Sequence, residues 1–228
     1  MDATTTPVSE RYRQCQLAAL FKANGEAIVL KQGEAVAQEW TAHNLLFVKD
    51  GWLMRSHLFE NGRQSTTGLY IPNDVFNFEN LLGYPMHGEV DALTDAELLA
   101  LPSDEVSQAL YTDPGVARSL FWRQAADAHW LREALQSVGQ LGVEDRLIVF
   151  IAQTRQRLID YAGLEPDSTE FSLPLTQGQL GAIIGSTIIH TNRVVRQLRE
   201  KNLLIIKGQT VRFLNLDKFE EHAERLTA

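Results

Sequence analysis

A chain of 228 residues, 44% hydrophobic and 22% charged with a net charge of −8, is long enough for two folded domains in water. No apolar run approaches the roughly 18–20 residues that span a bilayer, and Met1–Pro7 lacks the basic flank and apolar stretch of a signal peptide, so a cytoplasmic protein without a membrane partner is expected. The single cysteine, Cys15, excludes an intrachain disulfide framework, a cysteine-only zinc site and a four-cysteine iron–sulfur cluster.

From Ala27 to about Leu101, short apolar or alternating runs are separated by turn signals. Ala27–Leu30, Leu45–Val48, Trp52–Phe59, Gly68–Ile71 and Glu97–Leu101 are each followed by a cluster of Gly, Asn, Asp, Pro or charged residues. Such spacing predicts a β-barrel or β-sandwich able to enclose a small ligand. Asp113-Pro114 then fits the start of a helix, with Asp113 as N-cap and Pro114 in the first turn. Ala117, Leu120, Leu131, Ala134 and Val138 recur at helical spacing, interrupted by Gln124 and Asp127. That stripe suits either a seam for a second copy or packing on the chain's own β-domain. Gly139 and Gly142 are the hinge candidates, and a second helix is predicted over Val143–Ala162.

The charge is unevenly divided. Residues 1–138 hold 10 Lys and Arg against 18 Asp and Glu, whereas 139–228 hold 11 of each sign. Within the second part, Arg193, Arg196, Arg199, Lys201, Lys207 and Arg212 face only Glu200 across 193–212, a local +5. By itself this run reads equally as a solvated helix face or as the footprint of a polyanion.

Residues 174–201 carry most of the functional signal. Thr176 is a good N-cap for a short helix whose inner face is Leu180, Ile183 and Ile184, and Gly185 supplies a turn needing positive φ. Thr187 caps a second helix with Thr191, Val194, Val195 and Leu198 inward, leaving Ile188, Ile189, His190, Asn192, Arg193, Arg196 and Arg199 outward. That is helix-turn-helix spacing. Leu203–Ile206, the turn Lys207–Gln209 and Val211–Leu214 follow as a hairpin, which makes the motif winged and names double-stranded DNA as the partner.

In motif order, about residues 17–216 resemble the Crp–Fnr family of bacterial transcription regulators. Gly33-Glu34, Lys49-Asp50-Gly51, Asn61-Gly62-Arg63-Gln64 and Ile71-Pro72-Asn73-Asp74 are similar to that family's β-roll turns, and Ala92–Leu98 to its next strand pair. Glu144–Leu147 resembles the first helix of its DNA-binding domain, and Gly185–Arg193 resembles recognition regions that carry His-Val-Asn-Arg. The resemblance implies an α+β architecture: an amino-terminal double-stranded β-helix (a cupin-like β-roll) for effector sensing over 1–112, a dimerisation helix over 113–138 and a winged helix-turn-helix over 139–228. It also implies a homodimer on a near-palindromic site, with RNA polymerase as a further partner.

Departures from the family narrow the effector. The Gly-Glu and Arg-Ser/Thr pairs of the cyclic-nucleotide branch correspond here to Asn77-Phe78-Glu79 and Met86-His87-Gly88, and no arginine lies between Arg63 and Arg118. A cyclic phosphate would lack its bidentate partner. Cys15 alone cannot supply the iron–sulfur cluster of the oxygen-sensing branch. Haem stays open, with His57 and His87 in the β-roll as ligands or as ordinary histidines. Trp122 and Trp130 suit closure over an effector or plain amphipathic packing.

At the base-reading positions, Arg193 matches the family and is assigned to guanine, Asn192 to adenine, and His190 to a base or a phosphate. Ile188 and Ile189 stand where cyclic-AMP-type members place Arg and Glu; they would meet a thymine methyl or be partly buried. Thr176, Gln177, Ser186, Thr187, Arg196 and Lys207 are assigned to phosphates. No Gly-rich phosphate loop or nucleophile–base pairing occurs, so no enzyme is expected. The competing readings are a small-molecule-binding module whose carboxy-terminal domain contacts a protein, and a regulator that needs no effector.

Overall fold

The computed structural model describes residues 16–60, 64–84 and 86–227; Cys15 and Asn61–Arg63 of one expected turn lie outside the described residues. The chain packs as two units. The first takes in the chain up to Ala125 together with Asp160–Gly163, and the second comprises Ala126–Ile159 and the chain from Leu164.

The first unit is built on two antiparallel sheets. Strands β1 (Glu26–Leu30), β2 (Asn44–Asp50), β5 (Val75–Phe76) and β7 (Ala96–Pro102) form one in the order β1-β7-β2-β5. Strands β3 (Leu53–Leu58), β4 (Gln64–Tyr70) and β6 (Glu89–Ala92) form the other in the order β4-β3-β6. Ile28, Leu30, Leu46, Val48, Leu98 and Ala100 from the first sheet meet Leu53, Val90 and Ala92 from the second in one core. The unbroken run Leu45–Val48 is buried at every position because β2 is covered on both faces. On its outer face Phe47 stacks on Phe21 of helix α1 (Gln16–Asn24), ring centroids 5.8 Å apart. This is the β-roll expected from the sequence.

Helix α2 (Gln38–His43) was not legible in the sequence, and neither was α3 (Ser103–Thr112). Each buries a single residue, Thr41 and Val106 respectively, so neither carries a periodic apolar stripe. The long helix α4 (Pro114–Gln140) begins as predicted, Asp113 Oδ1 accepting from the Gly115 amide at 2.7 Å. It continues through Gly139, so the break falls at Leu141-Gly142. Its large exposed apolar residues are Phe121, Leu131, Leu135 and Val138, whereas Leu120 and Ala134 of the expected stripe are half-buried.

In the second unit, α5 (Val143–Arg157) buries Leu147, Ile148 and Ile151. Strand β8 (Glu170–Ser172), absent from the sequence reading, pairs with β10 (Thr210–Phe213), which pairs in turn with β9 (Leu204–Lys207). The wing is therefore three-stranded. Helix α8 (Leu216–Thr227), also absent from the sequence reading, buries Phe219 and Ala223.

Candidate nucleic-acid interface

Two short helices form the candidate site. Helix α6 (Gln177–Ile183) starts at Thr176, whose hydroxyl accepts from the Gln179 amide at 3.2 Å while Gln179 Oε1 accepts from the Thr176 amide at 2.8 Å. This reciprocal box satisfies two amides that the helix itself leaves unpaired. Thr176→Ala is expected to lower the stability of the carboxy-terminal unit by about 1 kcal/mol, read from a urea unfolding curve of the full chain. The turn follows at Gly185, whose φ of 67° is one that a side chain rarely adopts.

Helix α7 (Ile188–Glu200) is capped by Thr187, whose hydroxyl accepts from the His190 amide at 3.3 Å. It buries Thr191, Val194 and Leu198, as the spacing requires, while Val195 is half-buried. The two helices pack tightly at Gly181. A Cβ there would lie 3.0 Å from the Ser186 carbonyl oxygen and 3.0 Å from Thr191 Oγ1. Ser186 N in turn donates to Gly181 O at 2.7 Å, which draws the turn onto α6.

This packing leaves Asn192, Arg193, Arg196 and Arg199 exposed, with Ile188 and Ile189 also exposed and His190 half-buried. Ile189, Asn192, Arg193 and Arg196 follow the spacing i, i+3, i+4, i+7 and so share one face. Among the phosphate candidates, Thr176, Thr187, Arg196 and Lys207 are exposed, whereas Gln177 and Ser186 are half-buried.

The local positive charge is partly neutralised. Lys201 Nζ pairs with Glu144, Arg212 Nε with Glu170 at 2.8 Å, and Arg196 Nε with Glu200 at 3.6 Å. Exposed pairs of this kind are worth little. Among the described residues Arg193, Arg199 and Lys207 have no ion-pair partner. What remains is an exposed cationic, amide-bearing helix face, which suits a polyanion with hydrogen-bonding edges.

The β-roll contains a polar cluster that linear reading missed. Arg55 on β3 donates through Nη1 to Glu79 Oε1 at 2.8 Å and through Nε to the His87 carbonyl at 2.8 Å. Tyr70, stacked on Phe76 with centroids 4.2 Å apart, lies beside it, and burial pushes its phenol pKa up against the opposing pull of Arg55. Asn77, in the stretch that stands in place of the Gly-Glu pair of the cyclic-nucleotide branch, turns its side-chain amide onto the Thr41 and Asn44 carbonyls, each at 2.7 Å. The guanidinium that reaches the His87 carbonyl, in the stretch Met86-His87-Gly88, is thus already held by Glu79. His57 sits edge-on against Phe59, His87 is exposed, and no group of three or more His, Cys, Asp or Glu among the described residues is placed to hold a metal ion.

No helix among the described residues is long and apolar enough to cross a membrane. Residues 27–113 match the model of the cyclic nucleotide-binding domain, and residues 145–222 match that of the Crp-like helix-turn-helix domain. The chain is 28% identical over 159 residues to the transcriptional regulatory protein btr of Bordetella pertussis, covering 68% of this chain and 63% of that one. It is 25% identical over 207 residues to the global nitrogen regulator of Synechocystis sp., covering 86% and 90% respectively. FixK2 from Bradyrhizobium japonicum shares the fold, with a TM-score of 0.74 and 19% identity over 87% of this chain and 96% of that one. Two domain matches in this order, joined by one long helix and ending in a capped helix-turn-helix, make the chain a member of the Crp–Fnr family of transcription regulators.

Proposed function

We propose that the protein works as a homodimer that places two α7 helices in successive major grooves of a near-palindromic DNA site, about 34 Å apart. The observation that carries this reading is the exposed leading edge of α7, with Asn192 and Arg193 outward and Thr191, Val194 and Leu198 inward. Arg193 reads guanine and Asn192 adenine, with Ile188, Ile189 and His190 completing the base-facing set. Thr176, Gln177, Ser186, Thr187, Arg196 and Lys207 fix the register on the phosphates.

The domains divide as 1–112 for sensing, 113–138 for dimerisation and 139–228 for DNA. Pairing along α4 is supported by Phe121, Leu131, Leu135 and Val138, which with Gln124 and Ala128 alternate at spacings of three and four. The controlling ligand is a small molecule other than a cyclic nucleotide, a reading supported by the Arg55–Glu79 pair. It acts by binding one of two dimer arrangements more tightly. RNA polymerase is the partner through which a bound dimer alters transcription in the cytoplasm.

Selection from random duplexes, followed by gel shift, tests the reading. The expected product is an inverted repeat whose affinity falls about a thousandfold or more between 50 and 200 mM salt, as for 6–10 neutralised phosphates. Arg193→Ala is expected to relax one base pair per half-site and to cost about 1–3 kcal/mol. An unchanged selected motif would remove Arg193 from the reading face. Enrichment of no duplex would favour a protein partner for this domain.

A further inference from the structure

Ile188 and Ile189 are 52% and 80% exposed, adjacent, and placed on the first turn of α7. A single exposed isoleucine is ordinary on a protein surface. Two together on the turn that enters a groove are not explained by packing, because the buried face of the helix lies at Thr191, Val194 and Leu198. We propose that these two side chains recognise the 5-methyl groups of thymine, so that each half-site carries thymine within about two base pairs of the guanine met by Arg193. The proposal rests on the DNA-reading assignment of α7 and specifies the chemistry of that site.

Base edges in the major groove are hydrogen-bond donors and acceptors apart from one apolar feature, the thymine methyl. An isoleucine pressed on an amino or carbonyl edge desolvates that group without replacing its hydrogen bond, which disfavours guanine, cytosine and adenine at the contacted positions. Against a methyl it removes apolar surface on both sides. β-Branched side chains also hold few rotamers, so little freedom is lost when they are pinned in the groove.

Position follows from the helix. Ile189 and Arg193 are four residues apart on one face, about 6 Å along the axis at 1.5 Å per residue, and successive bases on a strand are about 3.4 Å apart. Arg193, without an ion-pair partner among the described residues, lies one turn beyond Ile189 on the same face and carries charge complementary to the duplex. The apolar pair therefore continues the DNA-reading face.

The test replaces thymines of the selected duplex by deoxyuridine, one symmetric pair at a time, and measures binding by fluorescence anisotropy at fixed salt. Uracil keeps the Watson–Crick edge and loses only the methyl. Wild-type protein is expected to lose about fourfold affinity per methyl, and about fifteenfold for one in each half-site. Ile188→Ala and Ile189→Ala, both exposed and helix-compatible, are each expected to bind the thymine and uracil duplexes alike at the position they contact. Equal binding of both duplexes by the wild type, with Arg193→Ala still weakened, overturns methyl recognition while leaving DNA reading intact. Failure to select any duplex overturns both.

Discussion

Replacing Arg123 with alanine is expected to lower the stability of the amino-terminal unit by about 3–5 kcal/mol, the range for removing one partner of a buried ion pair. Arg123 Nη2 lies 2.8 Å from Asp74 Oδ1, and the two side chains are 3% and 0% exposed. Asp74 Oδ2 also accepts from the Ile71 amide at 2.9 Å, which anchors the turn between β4 and β5. Without the guanidinium, a carboxylate is left in a site that water does not reach. The same guanidinium lies over the Tyr161 ring, 4.9 Å from its centroid, and Asn73 Nδ2 donates to the Tyr161 carbonyl at 2.8 Å. The substitution thus also loosens the hold of this unit on Asp160–Gly163. Urea unfolding followed by tryptophan fluorescence reads the effect, since Trp40, Trp52 and Trp122 all belong to this unit. The double variant Asp74→Asn, Arg123→Met is expected to lose less than Arg123→Ala alone, because it removes both charges of the pair. A loss below about 1 kcal/mol for Arg123→Ala, typical of exposed pairs, would mean that water reaches this pair in solution.

Gly181→Val is expected to abolish binding to the selected duplex while leaving the unfolding of the amino-terminal unit unchanged. Its Cβ would stand 3.0 Å from a backbone oxygen and from a hydroxyl that is itself fixed, Thr191 Oγ1 donating to the Thr187 carbonyl at 3.0 Å. The two further methyls of valine have no room, so α6 and α7 must separate. Overpacking of this kind costs about 1–3 kcal/mol in stability. The loss in binding is larger than that figure suggests, because the brace sets the angle at which α7 meets a groove and every base contact depends on that angle. Gly181→Ala, with only the tight Cβ, is expected to be intermediate. Gel shift and a melting curve on the same samples separate the two effects. A valine variant that binds with wild-type affinity would show that this close approach does not position the recognition helix.

Much of this was legible because it is local. Thr176 and Thr187 sit three residues before the amides they cap, Gly185 marks a turn by its own backbone freedom, and the inner face of α7 repeats with the helical period. The strands of the β-roll show as short runs between turn residues for the same reason. The apolar stripe of α4 was less secure. Leu120 is followed by Phe121 and Ala134 by Leu135, so two stripes rotated by one residue fit the pattern equally well. Only the packing of each unit decides that Phe121 and Leu135 stay outside.

Pairings between distant residues leave no such trace. Arg55 reaches Glu79 across 24 positions, Lys201 reaches Glu144 across 57 and Arg212 reaches Glu170 across 42, so a count along the chain overstated the free positive charge and missed the arginine of the β-roll. The order of residues determined the helix-turn-helix, its caps and the β-roll turns, since hydrogen bonds and rotamer limits within a few residues dictate them. The tertiary structure alone decided which charges stay unpaired, which helix face is left bare and whether the two isoleucines of α7 are covered. Each of those depends on burial, and burial is set by whatever part of the chain the fold brings alongside.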